Sequence, residues 1–167
     1  SGEPPVLSRA KAARPDDILV GAAIGLGMTA RAAVQGGADF LLALNAGRLR
    51  VMGAASNAAM LPLRDSNRFT AEFARSEILG HVGVPVFFGA CAMDPRLDLD
   101  ALVATTVRAG FAGIVNFPSA IHIDGRFGEA VTKAGLGFER EVELLSRARA
   151  AGLMTIGYAK TRRQVQR

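Results

Sequence analysis

The sequence is short of the groups that most often announce a function: it has one cysteine, no tryptophan, one tyrosine and two histidines. A lone thiol, Cys91, excludes an internal disulfide and a zinc site built from several thiolates of one chain. His81 and His122 stand far apart, which argues against a histidine-rich metal centre. No run approaches the roughly 18 apolar residues that a membrane span needs. The opening SGEPPVLSRAKAARPDD lacks the apolar centre of a secretory signal, so a cytoplasmic location is expected. Acid is also missing in one informative place, since no Asp or Glu occurs between residues 40 and 64.

Positive charge is abundant but badly placed for nucleic acid. Lys160, Arg162, Arg163 and Arg167 lie in the last eight residues, and Arg9, Lys11 and Arg14 near the start. Between residues 15 and 159, 13 basic residues face 14 acidic ones. The pI of about 10.3 is therefore a property of the ends, whereas a nucleic-acid binder shows a basic stripe on its folded face.

What is present is a recurring boundary: a helix-like segment, a glycine, then a short apolar run. It recurs as RAAVQGGADFLLALN, ILGHVGVPVFFGA, TVRAGFAGIVNF and RARAAGLMTIGY, with Gly37, Gly83, Gly110 and Gly152 as the expected helix-ending glycines. With ILVGAAIG the pattern predicts five buried parallel strands, at 18–25, 40–46, 84–91, 113–117 and 153–159. Helices are expected at 66–82, capped by Asp65 or Ser66, at 97–109 with Leu99, Leu102, Val103 and Thr106 inward, and at 138–151 with Phe138, Val142 and Leu145 inward. Residues 45–65 read as a long irregular loop. Residues 1–17 read as an N-terminal extension, and 18–167 as one domain. Alternating β and α elements give a parallel sheet flanked by helices, either an open doubly wound sheet or part of a (βα)8 barrel. In both, chemistry sits at the carboxyl ends of the strands.

Several polar residues fall at those ends. GLGMTA, 25–30, imitates a dinucleotide-binding turn through Gly25 and Gly27, but the acid required at the end of the second strand is replaced by Asn45. Arg48 and Arg50 either suit a carboxylate or phosphate, which a planar guanidinium grips with two hydrogen bonds, or are surface arginines paired to a nearby acid such as Asp65. Cys91 is a nucleophile if a basic neighbour lowers its pKa and a small buried hydrophobe otherwise. Asp94 and Asp124 are candidates for base or Mg2+ ligand, although Asp124-Gly125 also reads as a turn. Asn116 ends the fourth strand, His122 reads as structural between two isoleucines, and Tyr158 either donates to an enolate or carboxylate or packs with its hydroxyl in water.

QGGADFLLALNAGRLRVMG, MLPLRDSN, CAMDP, GFAGIVNFP, IDG and GFEREVELL occur in this order between Gly21 and Tyr158. Together they resemble the phosphoenolpyruvate hydrolase-like family of TIM-barrel proteins, a barrel also found fused to Tm-1-like domains. By position, Asn45, Gly47, Arg48, Arg50, Asp65, Asn67, Cys91, Asp94, Asn116, Pro118 and Asp124 occupy the family's motifs. The resemblance implies a (βα)8 barrel related to enzymes acting on phosphoenolpyruvate, phosphonopyruvate and other 2-oxo acids. About five βα units are present, so the barrel is expected to be incomplete and C-terminally truncated, with open edges that a second copy or a complementing chain would cover. The functional expectation is a small anionic 2-oxo acid or phospho-acid bound at the strand rim, for hydrolase or lyase chemistry. Arg48 or Arg50 would hold the anion, Asn45, Asn116 and Tyr158 would orient it, Asp94 or Asp124 would bind Mg2+ or act as base, and Cys91 is a further catalytic candidate. The alternatives are a non-catalytic interaction or regulatory module, and an open-sheet nucleotide binder.

Overall fold

A computed structural model describes residues 18–167, and the extension expected at 1–17 lies outside the described residues. Five strands form one sheet: β1 (Gly21–Ile24), β2 (Phe40–Ala43), β3 (Val86–Gly89), β4 (Gly113–Val115) and β5 (Met154–Ile156). Every pairing is parallel, and the spatial order is β1-β2-β3-β4-β5. An order that never reverses is that of a barrel wall, because a doubly wound sheet has a switch point where the order turns back. The nucleotide-binding crevice of the alternative reading needs that switch point. The fold is thus α/β of the TIM-barrel type, with five strands among the described residues where a closed barrel has eight. β1 and β5 pair on one side each.

The two faces of the sheet differ as a barrel wall requires. Leu41, Ala43, Val86, Phe88 and Ile114 point outward into the main core beneath the helices. Phe40, Leu42, Phe87, Val115 and Ile156 cluster on the inner face. Gly21 and Gly113 leave the space that the rings of Phe40 and Phe87 fill, and those rings meet edge to face at 5.6 Å.

The helices α1 (Gly27–Gln35), α2 (Asn45–Val51), α3 (Ser66–Glu77), α4 (Leu99–Ala109), α5 (Gly125–Lys133), α6 (Phe138–Ala150) and α7 (Arg162–Val165) follow the strands, with 3-10 turns at Ser56–Met60 and Ala120–His122. Asp65 caps α3 by accepting from Arg68 N–H at 3.0 Å. The inward stripe of α4 is the expected Leu99, Leu102, Val103 and Thr106.

Four expectations need correction. Residues 45–65 are not an irregular loop: a two-turn helix starts at Asn45, directly after β2, and a 3-10 turn follows. Small residues hide it, because Ala46 and Gly47 pack without forming a wide apolar stripe. The helix expected over 66–82 ends at Glu77, and the backbone turns at Gly80 with φ +79°, not at Gly83. The buried stripe of α6 is Glu141, Leu144 and Ala148, one step round from Phe138, Val142 and Leu145. A buried glutamate breaks the apolar periodicity that sequence reading follows. Finally, Asp124-Gly125 opens α5 where a plain turn was the competing reading.

Candidate functional site

The carboxyl ends of all five strands form one rim, and Asn45, Cys91, Asn116 and Tyr158 each lie within two residues of a strand end. Their backbones converge there, but their side chains do not share a space.

Asn116 is fully buried and faces the helix layer. Its amide donates to Glu141 Oε2 at 2.6 Å and to the Tyr158 carbonyl at 3.1 Å, and its oxygen accepts from Tyr158 N–H at 2.6 Å. The side chain thus mimics a strand, continuing the β4–β5 ladder one step past Val115 and Ile156. Glu141, also fully buried, accepts from Ser119 Oγ at 2.6 Å and from Ala120 N–H at 2.7 Å. This network fixes the segment that carries the cis Phe117–Pro118 peptide. Burial pushes the Glu141 pKa up, against the downward pull of the three groups that donate to it.

Arg48 turns into the packing between α2 and α3. It pairs with Glu77 at 2.9 Å, and its guanidinium lies 5.7 Å from the Phe73 ring centre. Glu77 also accepts from Gly27 N–H at 3.0 Å, at the start of α1. Arg48 is therefore a strut between helices, and the anion-holding role expected of it has no support in this placement. Arg50 is exposed on the last turn of α2. Asn45 is buried, with its amide on the Ala59 carbonyl at 3.1 Å. Asp124 is exposed and pairs with Lys160 at 3.3 Å. His122, expected to be a structural residue, is exposed, with its ring 6.1 Å edge-on to Phe117. The Tyr158 ring lies 5.7 Å from Phe117, on the inner face.

What remains at the rim is a cavity of about 540 Å3 above β3, between the start of α3, the loop after β3, and α5. It contains two of the expected site residues, Cys91 and Asp94. Asn67 holds the first of these in place: it accepts from Cys91 N–H at 2.8 Å and donates to the Cys91 carbonyl at 2.9 Å. Burial raises the Cys91 thiol pKa to about 11, so the thiol is protonated at neutral pH and is not a primed nucleophile. Asp94 accepts from Arg96 through both carboxylate oxygens, at 3.1 and 3.0 Å, and Arg96 holds its pKa below the usual carboxylate value. Arg140, from α6, fastens the loop by donating to the carbonyls of Ala92 at 2.9 Å and Leu97 at 2.7 Å.

Two cationic groups, Arg96 and Arg64, and two carboxylates, Asp65 and Asp94, line this cavity. The Arg64 guanidinium stacks 4.3 Å from the Phe69 ring centre, which holds its planar donor edge in one orientation. Sequence reading missed Arg64 because it follows a proline-containing loop, not a strand end. A second cavity of about 550 Å3, beside the first, contains Asp124, His122 and Phe117. A groove of about 750 Å3 leaves the rim between α3 and α4 and meets the first cavity at Asp65, Asn67, Asp94 and Arg96.

Asp94 and Asp124, the two expected Mg2+ ligands, each carry a cationic partner. Asp94 is committed to Arg96 and Asp124 to Lys160, and among the described residues no three His, Cys, Asp or Glu side chains come together to hold a metal. No helix among the described residues is long and apolar enough to cross a membrane.

Comparison with known proteins agrees with this fold. Residues 7–167 match the family described as phosphoenolpyruvate hydrolase-like. The chain is 54% identical over 158 residues to the "Putative transcriptional regulatory protein y4pA" of Sinorhizobium fredii, covering 95% of this chain and 26% of that protein. It is 35% identical over 141 residues to the ToMV resistance protein Tm-1(GCR237) of Solanum lycopersicum, covering 84% of this chain and 19% of that one. The chain thus spans about a quarter or less of these relatives. Among solved structures, phosphoenolpyruvate phosphomutase from Streptomyces platensis subsp. rosaceus superposes with a TM-score of 0.58 at 18% identity, covering 93% of this chain and 64% of that one. A phosphonopyruvate hydrolase in complex with oxalate and Mg2+ gives a TM-score of 0.54 at 17% identity, covering 96% and 65%. At these identities the likeness concerns the fold.

Proposed function

The chain belongs to the phosphoenolpyruvate hydrolase-like family, and from that premise we propose that its barrel domain binds a small anionic 2-oxo acid or phospho-acid in the cavity above β3. The supporting observation is the pairing of Arg64 and Arg96 on a cavity of about 540 Å3 at the carboxyl ends of the strands. Arg64, its guanidinium over the Phe69 ring, offers a planar fork to a carboxylate or phosphate. Arg96 exchanges its bond to Asp94 for one to the ligand, and Asn67 keeps the Cys91 backbone fixed beside it.

Binding is better supported than turnover. The family's hydrolase or lyase chemistry asks for a primed base or nucleophile, whereas Cys91 is protonated and Asp94 is paired. This favours a second reading, in which the bound acid serves a regulatory or interaction module. The 54% identical relative carries a regulatory name. A cytoplasmic location, and a second copy or complementing chain at the β1 and β5 edges, belong to the proposal in either form.

The test is a thermal-shift titration of the full chain with pyruvate, oxalate, phosphonopyruvate and phosphoenolpyruvate, each with and without Mg2+. A ligand at about 100 times its Kd stabilises the fold by roughly 2.7 kcal/mol, and the melting temperature rises accordingly. The rise should vanish in Arg64→Ala and Arg96→Ala. No shift with any of these acids at about 10 mM sinks the reading. Binding with release of product identifies an enzyme, and binding without product identifies the regulatory form.

A further inference from the structure

We infer that the acid held at this rim carries a bulky apolar substituent, as a branched-chain or aromatic 2-oxo acid does, in contrast to pyruvate or oxalate. The inference rests on the reading of the cavity as an anion site and concerns the part of that cavity the anion does not need. A volume of about 540 Å3 falls in the range of roughly 300–1,000 Å3 that suits ligands larger than an acid of six non-hydrogen atoms.

The charged and amide side chains of the cavity all lie on one part of the lining: Arg64, Asp65, Asn67, Asp94 and Arg96 come from the start of α3 and the loops around it and after β3. The opposite wall, from the segment that contains α5, presents Ile123, Phe127, Val131 and Leu136 and no polar side chain. α5 has no buried residue, and Phe127 is 58% exposed. Leu61, across the opening, is 53% exposed. An anion seated on the arginines with its substituent toward α5 would remove this apolar surface from water, and a three-carbon acid would leave it wet. Polar recognition at one end and an apolar slot at the other is how a site selects substituent size.

Isothermal titration of the full chain compares pyruvate, 4-methyl-2-oxopentanoate and phenylpyruvate. The branched acid adds three carbons to pyruvate, and their burial should tighten binding by roughly tenfold to fiftyfold, with phenylpyruvate at least as tight. Phe127→Ala should bring phenylpyruvate down toward the affinity of pyruvate and leave pyruvate unchanged. Its melting temperature should also stay unchanged, because α5 is not buried. Arg64→Ala should weaken all three acids by a common factor. Equal affinities, or a preference that survives Phe127→Ala, overturn the inference and leave anion binding standing. Binding by none of the acids overturns both.

Discussion

Two strand ends of this barrel wall are finished by the same device, yet one is sealed and the other is hollow. At β4, Asn116 pairs with both backbone polar groups of Tyr158, and Glu141 closes the space behind it with Asn116, Ser119 and Ala120. At β3, Asn67 pairs with both backbone polar groups of Cys91, but a cavity lies beside the pair where a second layer of bonds would be. The amide side chain does the same work twice, supplying the pairing of a backbone amide just past a strand end. The difference lies in what stands behind it: a carboxylate at β4, open volume and two arginines at β3. One end stiffens the rim and the other leaves room for a ligand.

Breaking the sealed end should have the largest effect. Glu141→Ala strands two buried donors and one part-buried donor and should cost about 3 kcal/mol, read as a fall in urea midpoint at constant slope. The pH dependence carries the same signature. Because the folded state raises the Glu141 pKa, it binds that proton more tightly than the unfolded chain does. Its contribution is greatest in acid and is lost as pH rises through the ordinary carboxylate range toward the raised value. Glu141→Gln should remove this slope.

The hollow end makes its own statement through Cys91. With its pKa at about 11, the thiol should react with iodoacetamide at neutral pH roughly a hundredfold more slowly than an ordinary thiol, and faster as pH climbs toward 11. A fast reaction at neutral pH would restore the nucleophile reading.

Asn116→Ala and Asn67→Ala sharpen the comparison directly, since each loses a pair of backbone contacts. The buried site should lose about 2–3 kcal/mol and the half-buried one about 1, by urea denaturation. Arg48→Ala should cost about 1 kcal/mol or less through its half-exposed pair with Glu77, and should leave any acid-induced thermal shift intact. Asp124→Ala, at an exposed pair with Lys160, should fall within about 0.5 kcal/mol of the parent chain in the same denaturation measurement.

The sheet was readable from sequence because buried parallel strands are apolar on both faces, and Gly37, Gly110 and Gly152 mark the turns before three of them with positive φ. α4 was readable because its inward positions are uniformly apolar or small. α2 was not, because Ala46 and Gly47 are buried through close backbone approach and not by bulk. At the site, the positions of Asn45, Asn116 and Arg48 at strand ends were legible, but their orientation was not. Strand alternation turns every second residue of the rim toward the helices, and a polar residue so turned becomes scaffold. Arg64 escaped for the complementary reason: it enters from a loop, where no period locates it, whereas Asn67, at the start of α3, was marked only by the family motif. Glu141 stands between Glu139 and Glu143 near the start of α6, where acids suit the helix dipole, and tertiary burial alone distinguishes it.

Gly25 and Gly47 press backbone against backbone, with room for no methyl group: a Cβ on Gly25 would sit 2.0 Å from Arg48 N, and one on Gly47 would sit 2.8 Å from Ile24 O. α2 rests on the tip of β1 through that contact. Ala46 and Leu49 of α2 then seat Ala59 and Met60, which line the cavity above β3. Two missing methyls on the first strand and the second helix therefore act as a shim that sets the width of a slot two strands away. An alanine at either position would move the ceiling of that slot without touching anything inside it.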